Sequence, residues 1–440
     1  MARNTNWNKP IKLGSGAYGA VYSNEKTTAV KISPCGHVKG GWDNVQSTLR
    51  EIHAYNQLPQ CESFVTLKRI SYVKGQMHLY MNRADGNLKI VSTKDLSAAT
   101  IEKFTVQLLK GLFAMRNHRM FHRDIKPENI LVNLKTSTLS FCDFGLSRHL
   151  QDDSEYGTGY IVTRWYRAPE LLEFQKKDKR SSELQFTEKM DIYSIGAILY
   201  ELIFDTWLAP GKNIEETLDQ MKRRVGRLTV EKLKDHPKVT EKVAKVLVGC
   251  LAIDPKERFN CARALFKMGE LTADEVMEFQ EDSGKFSTLK YAPIQPRRDL
   301  YNPDEWDQRA KWFNDLYQKF PKQRQIIAYA LVVFDRFCFH PIMKSQSLLR
   351  FAWSVMYSAL VIGTFYKVQK LIQHVQGMYD PWSHSKPDSV ILNGICKWTE
   401  KFYTGMQFID ISEWESGKEK SFNVFMKSAL KNPYDLKRKR

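Results

Sequence analysis

One short segment of the chain brings together a carboxylate, a cation and a carboxamide: Asp124, Lys126 and Asn129 in the run HRDIKPEN. A second carboxylate, Asp143, follows in a DFG tripeptide. Carboxylate and amide oxygens suit Mg²⁺, which keeps some of its water and bridges phosphates. This set of residues is the equipment for moving a phosphoryl group from a magnesium-bound nucleotide to a hydroxyl group.

A glycine-rich run near the N-terminus has the pattern GxGxxG and lies between short β-like runs. Glycines let the backbone cover phosphates closely because no Cβ intrudes. Taken alone, the motif also fits an ordinary glycine-rich hairpin. The residues predicted to contact a nucleotide are Leu13, Gly14, Ser15, Gly16, Ala17, Tyr18, Gly19, Val21, Ala29, Lys31, Met81 and Ala84.

Lys31 lies in a predicted strand and becomes functional only if a carboxylate orients it. Glu51 offers that carboxylate, on a predicted helix over residues 43–58 whose apolar residues recur at helical spacing. The sequence therefore predicts a Lys31–Glu51 ion pair, which forms when this helix is swung inward.

Together with the APE run at 168–170, these motifs resemble eukaryotic-type protein kinases over about residues 8–270. The helix around Glu51 resembles the partner-binding helix of cyclin-dependent kinases. The run TRWYR resembles the branch that holds the cyclin-dependent, mitogen-activated and glycogen-synthase kinases. The resemblance implies an α+β, bilobal fold, with a small β-rich lobe (1–84), a larger helical lobe (85–270), and use of ATP and Mg²⁺.

The same resemblance assigns roles at the site. Asp124 is the implied catalytic carboxylate, which orients the substrate hydroxyl and accepts its proton. Lys126 neutralises charge near the γ-phosphate and is typical of serine/threonine kinases. Thr163 would bond to both, and Asn129 and Asp143 would ligate Mg²⁺.

The segment between DFG and APE is where such kinases are regulated. Thr158 falls at the position of an activating phosphothreonine, and Arg50, Arg123 and Arg148 match its phosphate pocket. Clustered guanidinium groups could order the segment around a phosphate. An unmodified threonine in a self-ordered segment is the alternative. Tyr18 matches an inhibitory phosphorylation site.

Two further features follow from the resemblance. Arg167 and Val162 would shape the pocket after the acceptor residue, which in this branch favours proline, so protein substrates with Ser/Thr-Pro sites are expected. Arg258 is the expected ion partner of Glu170.

The last third of the chain has a different pattern. Prolines among polar residues suggest a linker over 271–300. Helices are then predicted over 307–320, 324–339, 345–366 and 390–408. They resemble a single cyclin box over 301–412, through the run QRA at 308–310 and the DRF ending of the second helix.

If that resemblance is right, an all-α cyclin-like bundle follows the kinase and activates it intramolecularly. Two alternatives stay open for the whole chain. One is a mitogen-activated or glycogen-synthase-like kinase with a helical scaffold tail, and the other is a pseudokinase that only binds partners.

Composition limits the remaining classes. The 440 residues are 42% hydrophobic, which suits packed cores. The net charge of +18 favours polyanions, but no zinc spacing or RNA-binding signature points to a nucleic-acid partner. The apolar run at 348–366 is better explained by a buried helix than by a membrane span. Seven scattered cysteines and a basic tail (413–440) predict an intracellular location, in nucleus or cytoplasm.

Overall fold

The computed structural model describes residues 11–16, 19–35, 41–118, 120–149, 164–176, 187–282, 303–337, 347–362, 370–375, 378, 395–397 and 399–400. It divides into two compact units. The first comprises Met1–Ile32, Arg50–Arg69 and His78–Gly284, and the second comprises Ser33–Leu49, Ile70–Met77 and Lys285–Arg440. The basic tail lies outside the described residues.

A five-stranded sheet forms the N-terminal lobe, with strand order β1-β2-β3-β5-β4. Its strands are β1 (Lys12–Gly16), β2 (Gly19–Glu25), β3 (Thr28–Pro34), β4 (Leu67–Val73) and β5 (Gln76–Asn82). The glycine-rich run is the hairpin between β1 and β2, as its β-like flanks predict. Antiparallel pairing of β2 with β3 sets Val21 opposite Lys31, which fixes the lysine beside the glycine-rich hairpin.

Helix α1 (Gly41–Gln57) follows β3, close to the predicted range of 43–58. Val45, Leu49 and Ile52 recur at helical spacing and are fully buried, which explains why this segment is helical. Burial extends without interruption from Asn44 to Tyr55, over more than three turns. The helix is therefore covered on all of its faces in this part.

The helical lobe is built around α2 (Ala98–Asn117) and α4 (Glu188–Phe204). Nearly all of α4 is buried, as expected of a central helix that is apolar all round. The other helices of the lobe are α3 (Pro169–Lys176), α5 (Ile214–Val225), α6 (Val230–Leu233), α7 (Glu241–Cys250) and α8 (Cys261–Met268).

Two small sheets carry the catalytic segments of this lobe. One has the order β6-β8-β9, and the other pairs β7 with β10. Their strands are β6 (Gly86–Asn87), β7 (Met120–Phe121), β8 (Ile130–Asn133), β9 (Thr138–Phe141) and β10 (Arg148–His149). The HRDIKPEN run connects β7 to β8, and the DFG tripeptide connects β9 to β10, so the sheets bring both motifs to one place.

The predicted linker over 271–300 begins with a helix, α9 (Ala273–Asp282). Thr272 and Glu275 form a reciprocal capping box: the Glu275 carboxylate accepts from the Thr272 N–H at 2.7 Å, and the Thr272 hydroxyl accepts from the Glu275 N–H at 3.3 Å. The prolines that suggested a linker all lie beyond this helix, and residues 283–302 are outside the described residues.

In the second unit, α10 (Pro303–Lys319), α11 (Arg324–Phe337) and α12 (Ser347–Ile362) match three of the four predicted helices. Phe313, Phe334 and Phe351 form its aromatic core, with ring centroids 4.9 to 6.4 Å apart. Of the fourth, the structure describes residues 395–397 and 399–400, all helical. Among the described residues, none of the helices is long and apolar enough to cross a membrane.

Candidate active site

A buried ammonium group lies at the centre of the site. Lys31 Nζ contacts Glu51 Oε2 at 2.7 Å and Asp143 Oδ1 at 2.8 Å, so the predicted Lys31–Glu51 ion pair is confirmed. Burial alone would lower the pKa of Lys31, but the two carboxylates outweigh it and hold the pKa above its ordinary value. The lysine is therefore a fixed positive charge beside the glycine-rich hairpin.

The two carboxylates on Lys31 differ in exposure, since the Glu51 side chain is 2% exposed and the Asp143 side chain is 37% exposed. Burial raises the pKa of the Glu51 carboxyl, and the Lys31 ammonium opposes that rise. For Asp143, burial also raises the pKa, but Lys31 outweighs burial, so the pKa lies below its ordinary value. Asp143 is accordingly an ionised oxygen ligand that could hold a cation.

The catalytic-loop residues form a second cluster. Lys126 Nζ lies 2.7 Å from Asp124 Oδ2. The Asn129 amide donates to the Asp124 backbone oxygen at 2.8 Å and to Asp124 Oδ2 at 2.9 Å. Because its NH₂ group serves Asp124, Asn129 has its carbonyl oxygen to offer a metal ion. The three side chains are thus fixed relative to one another.

Two residues at the site have strained backbones. Arg123 has φ +69° and Asp143 has φ +62°, in the left-handed region that non-glycine residues rarely adopt. The Asp191 carboxylate, at the start of α4, accepts the N–H groups of His122 at 2.8 Å and Arg123 at 2.9 Å. This buried carboxylate holds the turn that presents Asp124, and its burial raises its pKa to about 7.

The phenylalanine of the DFG run packs in the core beneath the site. Phe144 is fully buried, with its ring centroid 5.2 Å from Tyr55, 6.1 Å from Phe64 and 5.0 Å from His122. Since Tyr55 lies on α1, this packing ties the DFG segment to the helix that carries Glu51.

His122 has one protonation state that fits its contacts. Its Nε2 lies 3.1 Å from the Cys142 backbone oxygen, and its Nδ1 lies 3.4 Å from the Asp124 N–H. A neutral ring with the proton on Nε2 serves both. Burial lowers the pKa of His122, which favours the same neutral form.

A cavity of about 540 Å³ opens between the glycine-rich hairpin and the catalytic loop, within the first unit. Such a volume suits a small-molecule ligand. Apolar side chains of Leu13, Val21, Ala29 and Met81 line one part, while Lys31, Asp124, Asn129 and Asp143 line another. An apolar slot joined to a cationic and oxygen-rich end fits a nucleotide base, its phosphates and Mg²⁺.

The predicted nucleotide contacts Gly14, Ser15, Gly16, Gly19 and Ala84 also line this cavity. Ten other lining residues were not predicted from the sequence: Tyr55, Val65, Asn82, Arg83, Gly86, Asn87, Glu128, Leu131, Cys142 and Leu146. Some of these residues lie next to predicted residues in the sequence, and this proximity to the motifs is the signal that could have identified them as lining residues. Val65 and Leu131 reach the cavity only through the fold.

The predicted regulatory residues are only partly described. Ala17, Tyr18, Thr158, Val162 and Thr163 lie outside the described residues. Arg50 is buried in α1.

Of the other two arginines proposed to bind phosphate, Arg148 lies on β10 opposite Phe121 of β7, two residues before Arg123. The sheet therefore brings the backbones of these two arginines close together.

The segment after 163 is held by contacts to the helical lobe. Arg258, fully buried, forms the expected ion pair with Glu170 in a bidentate arrangement at 2.7 and 2.9 Å. The Tyr166 hydroxyl donates to Glu201 at 2.6 Å, and Arg167, which lines the cavity, donates to Gln175 at 3.2 Å. The end of the segment is thus fixed beside the catalytic cluster.

A β-sheet lobe and a helical lobe, with a lysine–glutamate pair and a DFG aspartate around one cavity, define the protein kinase class. Residues 7–268 match the family model described as protein kinase domain, and the chain belongs to this family. Members of the family generally use ATP and Mg²⁺.

Its relatives include two kinds of kinase. Cyclin-dependent kinase-like 4 of Mus musculus is 29% identical over 289 residues, which cover 59% of this chain and 81% of the relative. Mitogen-activated protein kinase PMK11 of Pyricularia oryzae is 29% identical over 303 residues, covering 64% and 77%. Mitogen-activated protein kinase 2 of Pneumocystis carinii is 32% identical over 239 residues, covering 50% and 63%.

Proposed function

We propose that the chain is a serine/threonine protein kinase that phosphorylates Ser/Thr-Pro sites of protein substrates and is activated by its own C-terminal cyclin-like helices. One observation carries the catalytic part. The Lys31 ammonium is held between Glu51 and Asp143 at 2.7 and 2.8 Å, in the cavity that Asp124, Lys126 and Asn129 also line. This is the arrangement that phosphoryl transfer in a protein kinase requires.

Each side chain has a defined task. Asp143 and the carbonyl oxygen of Asn129 would hold Mg²⁺, and Lys31 would bind the α- and β-phosphates. Bound MgATP supplies the γ-phosphoryl group and a cation that offsets the charge on its oxygens. Positioning and electrostatics are then what remain for the protein to provide.

The substrate hydroxyl is served by the catalytic loop. Asp124 orients the hydroxyl and accepts its proton, while Lys126, 2.7 Å from the same carboxylate, stabilises negative charge as it develops. A lysine at this position supports serine and threonine as acceptors, and Thr163 would complete the acceptor site.

Asp143→Asn tests the catalytic assignment. The substitution keeps shape but removes the charge that Mg²⁺ needs, so phosphotransfer should fall to background while the thermal unfolding midpoint stays close to that of the wild type. The exposed Asp235 offers a matched control, and Asp235→Asn should keep full activity. Turnover near the wild-type level in Asp143→Asn would remove the metal role assigned to this residue.

The proline preference rests on the segment before APE. Arg167 lines the cavity and is held by Gln175, and proline offers no N–H that needs a partner after the acceptor. Paired peptides that differ only in proline or alanine after the acceptor measure this directly. A kcat/KM ratio near one would exclude proline direction while leaving the kinase assignment intact.

Activation by the C-terminal residues is supported by the surroundings of α1. The helix is buried without interruption from Asn44 to Tyr55. Its first part, up to Leu49, belongs to the compact unit that also contains Lys285–Arg440. A cyclin works by biasing this helix toward the position in which Glu51 meets Lys31. In one chain, that contact is intramolecular and has a high effective concentration.

A matched pair of phenylalanine variants tests the activator. Phe313 is fully buried between α11 and α12, whereas Phe266 on α8 is 39% exposed. Phe313→Ala should cost the helical unit about 3–5 kcal/mol. Kinase activity should fall as the helical unit loses stability, whereas Phe266→Ala should keep full activity.

Limited proteolysis reports whether the helical unit has unfolded. If the unit has unfolded and kinase activity survives, the helical unit is a scaffold tail rather than an activator. If Phe313→Ala is insoluble, Phe351→Leu removes less volume and serves the same comparison.

Phosphorylation of Thr158 is the second proposed control. A phosphate there would bring about −1.5 to −2 charges, which Arg50, Arg123 and Arg148 would neutralise. Thr158→Ala and phosphatase-treated wild type should then show equally reduced activity. If both match untreated wild type, the segment orders itself without modification.

A further inference from the structure

The Glu51 carboxylate is held through both of its oxygens. Oε2 contacts Lys31 Nζ at 2.7 Å, and Oε1 accepts a hydrogen bond from the Tyr55 hydroxyl at 3.4 Å. Tyr55 lies four residues after Glu51 on α1, so the two side chains are on the same face of the helix. The hydroxyl contact therefore lies within α1 itself, whereas the ammonium contact joins α1 to β3.

Tyr55 also contacts the DFG segment. Its ring meets the ring of Phe144 edge to face, with the centroids 5.2 Å apart and the planes at 84°. Phe144 follows Asp143, which is the second counter-ion of Lys31. One side chain thus bonds to the glutamate of α1 and packs against the segment that carries the other carboxylate.

The surroundings keep the Tyr55 hydroxyl protonated and in need of an acceptor. The residue is buried, and a buried hydroxyl without a hydrogen-bond partner is costly. Burial, and then the nearby Glu51 carboxylate, raise the pKa of Tyr55 well above its ordinary value. The phenol is therefore a donor at neutral pH, and a carboxylate oxygen is the acceptor that suits it.

We propose that the Tyr55 hydroxyl is a positioning group for Glu51, which fixes the carboxylate within α1 so that Oε2 points at the Lys31 ammonium. A glutamate side chain that is held in one rotamer has lost conformational entropy. A bond within the same helix makes part of this loss before α1 meets β3, so the Lys31–Glu51 pair forms at a smaller entropic cost.

The ring of Tyr55 gives this contact a second consequence. Because the same side chain packs on Phe144, the direction of Glu51 is coupled to the position of the DFG segment. Both counter-ions of Lys31 are then placed together. The effect on phosphotransfer rests on the proposed function, whereas the effect on the Lys31 ammonium does not.

Tyr55→Phe tests the proposal, because it removes the hydroxyl and keeps the ring. A bond of 3.4 Å is long, so the loss lies at the low end for a hydrogen bond to a charged group, and kcat/KM for ATP should fall roughly 5- to 10-fold. The thermal unfolding midpoint should stay within about 3 °C of the wild type. Tyr193→Phe is the matched control and should keep full activity, since Tyr193 is buried and its hydroxyl has no partner among the described residues.

Tyr55→Leu removes the ring and the hydroxyl together, so it separates packing from hydrogen bonding. Its kcat/KM should fall further than that of Tyr55→Phe. If Tyr55→Phe instead matches the wild type while Tyr55→Leu is impaired, the ring alone matters and the proposal is wrong.

A double-mutant cycle asks whether the hydroxyl acts through Glu51. In the Glu51→Ala background, Tyr55→Phe should change kcat/KM by less than about twofold, because the acceptor is already gone. A purely structural role for the hydroxyl would lower kcat/KM by the same factor in both backgrounds. That additive result would overturn the assignment to Glu51.

Binding of MgATP, measured by calorimetry, separates this inference from the proposed function. The dissociation constant should rise in Tyr55→Phe and stay unchanged in Tyr193→Phe, because Lys31 would contact the phosphates before any transfer. If the wild type phosphorylates no Ser-Pro peptide, the proposed function fails, and the same cycle in the dissociation constant still tests the hydroxyl. If the wild type is active and Tyr55→Phe matches it in both constants, the proposed function stands and this inference fails.

Discussion

Replacing Glu51 by glutamine tests whether the buried pair belongs to the active state. The carboxylate lies 2.7 Å from Lys31 Nζ and is 2% exposed, so solvent screens the contact little. Glutamine keeps the shape and still offers an oxygen to Lys31 or to the Tyr55 hydroxyl, which lies 3.4 Å from Glu51 Oε1. Only the charge is lost.

The size of the effect follows from what Lys31 retains. Asp143 stays at 2.8 Å, so the ammonium keeps one counter-ion. Loss of a charged hydrogen-bond partner costs about 1.5–3 kcal/mol. If about 2–3 kcal/mol of this appears in the transition state, kcat/KM for ATP should fall roughly 30- to 160-fold. The free energy of unfolding should change little, because removal of a buried charge offsets part of the lost contact.

The assay is steady-state phosphorylation of a Ser-Pro peptide at varied ATP, with denaturant unfolding of the same samples. Glu62→Gln is the matched control, since Glu62 is exposed just beyond α1, and it should stay within about twofold of the wild type. Equal kcat/KM for Glu51→Gln and Glu62→Gln would show that the Lys31–Glu51 contact does not support catalysis, and would exclude activation through the position of α1.

Three further predictions concern the fold that holds the site. Tyr193 is fully buried, its hydroxyl has no hydrogen-bond partner among the described residues, and its ring lies 4.9 Å from the Arg258 guanidinium. Tyr193→Phe should therefore raise the free energy of unfolding in urea by about 1 kcal/mol. A lower free energy of unfolding would reveal a bonded hydroxyl. Arg258→Met leaves the Glu170 carboxylate without its ion partner and should lower the free energy of unfolding by about 3–5 kcal/mol. A decrease below about 1 kcal/mol would contradict the bidentate pair. Burial lowers the pKa of His122 below its unfolded value of about 6.5, so the stability that the neutral ring contributes is present above that pH and is lost as the pH falls through the folded pKa. The loss of unfolding free energy between about pH 7.5 and 5.5 should therefore be smaller in His122→Asn than in the wild type. Equal losses in the two proteins would contradict a neutral His122.

Sequence motifs predicted the chemistry of the site because its residues lie in short runs. Asp124, Lys126 and Asn129 are close in sequence, and Glu51 was found through the periodicity of α1. The contribution of Asp191 could not be predicted in the same way. It accepts the N–H groups of His122 and Arg123 from nearly 70 positions away, so only the tertiary fold brings it to the catalytic loop.

The start of the predicted linker, residues 271–300, carries a helix that its composition did not indicate. The later prolines suggested a linker, whereas the Thr272–Glu275 capping box is a local signal that starts α9 within the same region.

Helix α1 is divided between the two units. Leu49 is the last residue of the helix in the second unit, and Arg50 and Glu51 belong to the first. A helix turns about 100° and rises about 1.5 Å per residue, so a rotation by one residue would point the Glu51 carboxylate away from β3. Its hydrogen-bonded backbone transmits such a rotation from one end to the other. Under the proposed function, whatever packs against Asn44–Leu49 would therefore set the direction of Glu51, and with it the position of the Lys31 ammonium between two carboxylates.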